Sequence, residues 1–266
     1  MGYNAFMATD IKKIEDLSLN AWPSHQMEVY DGWILRFSYL YTHRTNCVEQ
    51  IGASILTLEE KTEYCEQMYS RWGTPSIFKI SPVTDPALDG FLQERGYHIE
   101  HDIYVMTADL TYTTLPHIDT PGLSGLRVTV MPKVNDDWIQ ALFALKNTKS
   151  DIHRRIVPSM YAAIPKDEIA MYLENGDGTI IATGLGILDR DYVGIYAIHV
   201  HEDYRRRGLA RYLVTSLLRA GYDRGASHAY LQVVSSNAPA KALYRNLGFQ
   251  IAYRCWFRVN GEETGL

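Results

Sequence analysis

Cysteine is scarce: Cys47, Cys65 and Cys255 are far apart, and no two form a Cys-x-x-Cys pair. That excludes a disulfide framework and a typical zinc site, and it favours a reducing compartment. Long apolar runs are missing too, since nothing approaches the ~18 residues a membrane span requires. The first residues, Met1 to Lys13, lack the apolar stretch of a secretory signal, and Phe6 spoils a match to a myristoylation signal. There is no basic excess: 26 Lys and Arg stand against 31 Asp and Glu, a net charge of −5. The molecule as a whole therefore lacks the field of a nucleic-acid binder, and any anion it takes must be held locally. The expectation is a cytoplasmic protein with neither nucleic acid nor membrane as partner. What is present is a globular composition, 46% hydrophobic and 21% charged, which argues against disorder, collagen-like repeats and coiled coil. At 266 residues, about two domains are expected.

From Ala108 to Arg127 the chain is rich in Thr, Pro and Gly and mostly without periodicity, dividing it into halves. Before it, strands are expected over Met27 to Phe37, Thr45 to Ile51 and Ser76 to Ile80, and helices over Leu58 to Trp72 and Pro86 to Arg95. A strand of about a dozen residues follows Gly96. After it, strands are expected over Leu126 to Met131, Ile169 to Glu174, Thr179 to Leu188, Val193 to Val200 and Ala229 to Val234. Helices are expected over Asn135 to Lys146, Asp151 to Ala163, Gly208 to Tyr222 and Ala238 to Leu247, and a last strand follows Gly248. The turn Asn175 to Gly178 is a hairpin signal. Strands alternating with helices of this length imply an α/β mixed sheet with covered faces.

The halves echo each other. The stretch from Leu92 through Gly96 to Val105 parallels Leu243 through Gly248 to Phe257, with the two glycines 152 residues apart. The same offset carries the strand at Ser76 to Ile80 onto His228 to Gln232, and Leu58 onto Ala210. Helix, strand, helix, Gly-aromatic, strand thus occurs twice, which is the pattern of a duplication.

Between the strand ending at Val200 and a helix with the apolar stripe Leu209, Leu213, Leu217 and Ala220 lies Arg205-Arg206-Arg207-Gly208. Free N–H groups converge at such a helix start, the helix dipole favours an anion there, and glycine lets the backbone approach it closely. A pyrophosphate fits; a basic loop that merely starts a helix is the alternative. Downstream, Asn237 is a plausible N-cap and Pro239 sits in the first turn. Ala240, Leu243, Tyr244 and Leu247 then share one helix face, where Tyr244 reads either as core or as part of a site.

Val200 with its strand, Arg205-x-x-Gly208-x-Ala210, and Asn237-x-x-Ala240-x-x-Leu243-Tyr244-x-x-x-Gly248-Phe249 together resemble the GNAT superfamily of acetyl-CoA-dependent N-acetyltransferases, over about Leu126 to Val259. The resemblance implies parallel strands that splay apart near Val200 to admit the pantetheine arm of acetyl-CoA, with His199 and Val200 offering backbone groups. It assigns Arg205, Arg206, Arg207, Gly208, Leu209, Ala210 and Arg211 to the pyrophosphate loop and Asn237 to pantetheine or its linked phosphate. It assigns Tyr244 to proton donation toward the departing thiolate. A phenol of pKa near 10 stays protonated at neutral pH and can supply that proton.

The resemblance leaves the general base open. Some relatives carry a glutamate on the strand before the loop, but Gly194 stands at about that place. His199, His201, Glu202, Asp203 and a water relay remain candidates, with strand alternation turning His199 away from the face of Ile198 and Val200. No metal is implied. The segment Asp151 to Pro165 lies where GNAT proteins place the cover of the acceptor, so Tyr161, Arg154 and Arg155 are either substrate contacts or an ordinary helix surface.

The first half, residues 1–115, has no Arg-x-x-Gly-x-Gly/Ala loop and presents Leu92 in place of the tyrosine. It is expected to be a degenerate GNAT-like domain without a cofactor loop, joined by a linker at 116–125 to an acetyl-CoA-binding domain at 126–266. Its Asp31 to Phe37 and Tyr41 to Val48 segments resemble the N-terminal region of some bacterial tandem GNAT proteins. Phe37, Tyr39 and Tyr41 could wall the acceptor pocket or form a half-buried sheet face. If the first half completes the site, a monomer suffices, although a dimer is also open. The expected reaction is direct attack of a primary amine, on a small molecule or a peptide, upon acetyl-CoA. The rival is a non-catalytic acyl-CoA sensor or scaffold.

Overall fold

The structure is a computed structural model in which residues 3–112, 115 and 124–261 are described. The expected linker 116–125 lies outside them except for its last two residues. In chain order the elements are α1 (Tyr3–Ala21), β1 (Gln26–Tyr30), β2 (Trp33–Phe37), β3 (Val48–Gln50), α2 (Leu58–Arg71), β4 (Ile77–Ile80), α3 (Pro86–Glu94) and β5 (His98–Asp109). They continue with β6 (Arg127–Met131), α4 (Asp136–Leu145), α5 (Asp151–Ala162), β7 (Asp167–Glu174), β8 (Ile180–Asp189), β9 (Tyr192–Val200), α6 (Leu209–Asp223), β10 (His228–Val234), α7 (Ala238–Asn246) and β11 (Gln250–Val259). The mixed α/β class follows the alternation in the sequence.

Two local departures have clear causes. The stretch Met27 to Phe37 is a hairpin rather than one strand: Asp31 and Gly32 both take positive φ, 39° and 76°, as a tight turn of this hand requires. A Cβ on Gly32 would stand 2.2 Å from the Ala53 carbonyl oxygen, so only glycine fits. Helix α1, in a segment for which no element was expected, buries Ile14, Leu17 and Ala21, one face at helical spacing.

The eleven strands of the described residues join one sheet in the order β1-β2-β3-β4-β11-β5-β10-β9-β8-β7-β6. The final strand of the chain, β11, therefore lies between β4 and β5, and β5 lies between β11 and β10. The β5–β11 pair is antiparallel and runs from His98↔Val259 to Thr107↔Gln250 through Ile103↔Cys255. Since 98 and 250, and 107 and 259, are each separated by the sequence offset of 152, the ends of this pairing map onto each other. A parallel pair flanks the centre on either side, β3 with β4 and β9 with β10.

Helices cover both faces. Leu213, Leu217 and Leu218 of α6 pack on Ile195, Leu231 and Phe249. On the opposite face Trp138, Leu142 and Phe143 of α4 and Ile156 and Met160 of α5 pack on Leu185 and Ile187, joined by Trp22 and Tyr41 from the first half. The three cysteines are buried and unpaired. Among the described residues no helix is long and apolar enough to cross a membrane.

Candidate functional site

Strands β9 and β10 are paired only at their beginnings. The ladder runs from Tyr192↔His228 to Ile195↔Leu231, while β9 continues to Val200 and β10 to Val234. The separation coincides with a break in β9's regular pleat: Ala197 takes a φ of 48°, and the β8–β9 register shifts opposite it. One extra residue in a strand bends it and leaves neighbouring backbone unpaired. Consequently Tyr196 and Ala197 both pack toward α4 and α5, and Ile198 and Val200 pack toward α6.

Beyond Val200 the chain makes a short turn at Glu202–Tyr204 and enters α6 through Arg206 and Gly208, both left-handed at φ 60° and 83°. The N–H groups of Arg206, Arg207 and Gly208 make no backbone hydrogen bond to a described residue, and the first intrahelical bond is Tyr212 N–H to the Gly208 carbonyl. Leu209 and Ala210 occupy the first turn, where no acceptor exists within the helix. A Cβ on Gly208 would meet nothing within 4 Å, so the space beside this run of donors is open. Leu209 is buried and anchors the loop to the core. Arg205 Nε donates to the Val200 carbonyl at 3.2 Å, and Arg207 donates to the Asp203 carbonyl at 2.9 Å while lying over the Tyr204 ring. Arg211 follows on the first turn. His201, Glu202 and Asp203 are exposed; His201 Nδ1 accepts from the Asp203 N–H. Open space, a run of unspent donors and local positive charge together fit the diphosphate of a coenzyme A.

Asn237 caps α7, its Oδ1 accepting from Ala240 N–H at 3.1 Å. Tyr244, two turns on from Asn237, packs among the α6-side core residues with its ring 6.0 Å from that of Phe249. Burial pushes its phenol up to about 12, and its hydroxyl makes no hydrogen bond to a described residue. A protonated, unspent donor is thus available there at any physiological pH.

On the α4–α5 face two adjoining cavities, of about 90 and 230 Å³, share Tyr41, Thr42, Arg44 and Lys146 and together form one cleft. Tyr196, Ala197 and His199, past the end of the ladder on β9, line the first; Gln232, Val233 and Val234, past its end on β10, line the second. The cleft therefore straddles the gap between the strands, opposite α6. Tyr161 lines it as well. Arg154 does not: its guanidinium is bonded to the Thr148 carbonyl and lies over Phe143. Arg155 is exposed on the same helix and lines neither cavity. Of the first-half aromatics, Tyr41 lines the cleft, Phe37 is buried, and Tyr39 has left the strand at φ 51°.

The His199 side chain points into this cleft. Burial, Lys146 and Arg205, in that order, hold its imidazole down to about 4, so it is neutral at pH 7. Gly194 cannot host the carboxylate that some GNAT proteins carry: a Cβ there would lie 2.7 Å from both the Tyr196 and Tyr230 rings. Those two tyrosines fill the place and join hydroxyls at 2.6 Å. Arg44, Lys146 and the bulge at Ala197 are cleft features that the motif analysis did not single out. The signal for Arg44 was present in the Tyr41 to Val48 segment, but nothing local connected it with residues 196–199.

The sequence profile of the family described as "Probable histone acetyltransferase Rv0428c C-terminal" matches residues 8–258. The Bacillus subtilis (strain 168) protein called uncharacterized N-acetyltransferase YobR is 24% identical over 264 residues, 94% of this chain and 98% of that one. The ribosomal protein bS18-alanine N-acetyltransferase of Escherichia coli (strain K12) is 38% identical over 79 residues, 30% of this chain and 52% of that one. Among solved structures, a GCN5-related N-acetyltransferase from Kribbella flavida superposes with a TM-score of 0.68 at 14% identity, covering 96% of each chain. A tandem GNAT protein from the clavulanic acid biosynthesis pathway superposes at 0.62 and 13%, covering 82% of this chain and 76% of that one. At such identities the structural likeness shows the fold.

Proposed function

We infer the reaction from one premise: the chain belongs to the acetyltransferase family matched over residues 8–258 and is a GNAT-type N-acetyltransferase, an acyltransferase of the class that uses acyl-CoA. We propose that the donor is acetyl-CoA, the acceptor a primary amine, and the transfer a direct attack without a covalent enzyme intermediate. The observation that carries this reading is the coincidence of three features: parted β9 and β10, unspent N–H groups at the start of α6, and a cleft reaching the gap from the opposite face.

In this reading the amides of Arg206 to Ala210 hold the pyrophosphate, with Arg205, Arg207 and Arg211 adding charge. The β9 backbone at His199 and Val200 and the Asn237 corner guide the pantetheine arm. The thioester supplies an electrophilic carbonyl, and the amine enters from the α4–α5 side. The C–N bond forms as the C–S bond breaks and sulfur leaves as thiolate, while the proton shed by the newly acylated nitrogen passes through water to restore the Tyr244 phenol. Tyr244, protonated because its phenol stands near 12, hands its proton to that sulfur. Neutral His199 faces the amine and can accept a hydrogen bond from it. An imidazole held near 4 is too weak to deprotonate a free alkylammonium of pKa near 10.4, so bulk water takes that first proton before the amine binds.

Residues 1–115 and 126–266 are proposed as two GNAT-like units whose last strands, β5 and β11, each lie against the other unit. The first unit then contributes Tyr41 and Arg44 to the cleft, making one chain sufficient for a site. Thiol release from acetyl-CoA against an amine panel, with calorimetry of acetyl-CoA, propionyl-CoA and free CoA, tests the proposal. It stands if acetyl-CoA binds and an amine-dependent thiol appears; it fails if no acyl-CoA binds at millimolar concentration.

A further inference from the structure

Arg44 and Lys146 are the two full cations of the cleft, and neither has a carboxylate within ion-pair distance among the described residues. Arg44 reaches only Gln232 Oε1, at 3.5 Å, and lies over the Tyr196 ring at 5.9 Å. Lys146 lies over the Tyr41 ring at 4.6 Å, with the Tyr41 hydroxyl 3.4 Å from its amine. No Asp or Glu lines either cavity, although the chain as a whole carries more acidic than basic residues. The remaining walls are aromatic and aliphatic, with three histidines, Thr42 and Gln232 among them. Arg44 is half-buried and Lys146, although exposed as a residue, turns its amine into the same cleft; two cations brought together there without a counterion repel each other unless an anion joins them, and a guanidinium's fork suits a planar oxyanion in particular.

We propose that the acceptor carries an oxyanion, a carboxylate or a phosphate-type group, which is seated between Arg44 and Lys146 while its amine faces His199 and the gap between β9 and β10. This rests on the transferase reading of the same site and narrows it to an amine of anionic character. A polyamine or a lysine-rich peptide would bring further positive charge to a cleft with no acidic wall. Arg44 enters from residues 41–46 of the first half, so that half shares the selection of the acceptor with Lys146 of the second, which also holds the donor. Burial and Arg44 hold the Lys146 amine below its usual range, and Lys146 in turn helps depress His199. An anion between the two cations relieves both effects.

The test compares matched acceptors on the intact chain: the common amino acids, their amides, aminoalkyl phosphonates, and spermidine with a lysine-rich peptide as cationic arms. Thiol release is expected to favour acids over the corresponding amides by tenfold or more in kcat/KM. R44Q and K146Q should each collapse that preference toward unity through KM, with acetyl-CoA affinity kept within about twofold, and R44K should restore part of it. Preference for the amide, spermidine or the peptide overturns the proposal. So does loss of acetyl-CoA affinity in R44Q, which would make the anion one of the donor's phosphates. If no amine turns over, calorimetry titrates N-acetyl amino acids against their amides into the wild type with CoA present, or without it if acetyl-CoA itself does not bind. Equal binding, or none at millimolar concentration, refutes the anion pocket, whereas failure of acetyl-CoA to bind refutes the transferase reading independently.

Discussion

Two helix starts, each following the first strand of a parallel pair, have opposite fates. At the start of α6 the donors from Arg206 to Ala210 face open space. At the start of α2 the corresponding donors are occupied: the Asp31 carboxylate accepts from Ile55 N–H at 2.9 and 3.0 Å and from Leu56 N–H at 2.9 Å. Thr57 and Glu60 then close a reciprocal cap. The adjacent gaps differ likewise. Past Ile195 the β9–β10 gap opens on a cleft, whereas beside the β3–β4 pair Lys79 is clamped between Glu15 and Glu49 at 2.6 and 3.0 Å, leaving only about 10 Å³. The same backbone arrangement is the proposed anion site where the chain leaves its donors unspent, and a structural joint where it supplies its own carboxylate.

The sharpest way to break this contrast is Lys79→Met. It leaves Glu15 with the Tyr253 hydroxyl and no cation, and Glu49 with Arg36 as its remaining cation, and removing one member of a buried ionic cluster costs about 3–5 kcal/mol. Denaturant unfolding should show that loss, with acetyl-CoA affinity retained below the transition; a stability loss under about 1 kcal/mol would deny the cluster its structural role.

Next in size, Tyr244→Phe should lower turnover about 100-fold, the scale of a positioned proton donor, with acetyl-CoA affinity within threefold. Unaltered steady-state turnover would return Tyr244 to the core. Gly208→Val forces a β-branched residue to φ 83°, costing about 1–3 kcal/mol, and fills the open space. Calorimetry should show donor affinity reduced about 10- to 100-fold, and an unchanged value would separate the loop from the donor.

The smallest effect is expected from Asp31→Asn, which lowers Tm slightly and creates no donor site in the first half. The Ile55 N–H, followed by Leu56 N–H and Lys61, holds the Asp31 carboxyl below its ordinary 3.8. Its folded value being depressed, the stabilisation is in place above about pH 4 and lost as pH falls through the folded value. Melting curves of wild type and variant should therefore differ at pH 7 and converge in strong acid.

Much of this molecule is legible locally. Asn237 caps α7 and Gly208 turns left-handed into α6 because such roles depend on a side chain's own neighbours. The bulge at Ala197 left no mark: no Gly or Pro stands at or beside it, and the run from Val193 to Val200 reads as a regular strand. With the bulge unseen, His199 could be assigned a face but not a cleft. Asp31-Gly32 did carry a hairpin signal, which the apolar run around it conceals.

What the sequence by itself determined is the succession of strands and helices, α1 and the Asp31–Gly32 hairpin apart, most of their caps and turns, and the donor-rich loop after Val200, all set by periodicity, steric limits on φ and hydrogen bonds a few residues long. Only the tertiary structure decided that β11 lies between β4 and β5, that Asp31 closes one helix start 24 residues away, and that Arg44 reaches Gln232 across 188 residues. Contacts at such separations arise from the packing of whole elements against one another, and no local period encodes which side chains will meet.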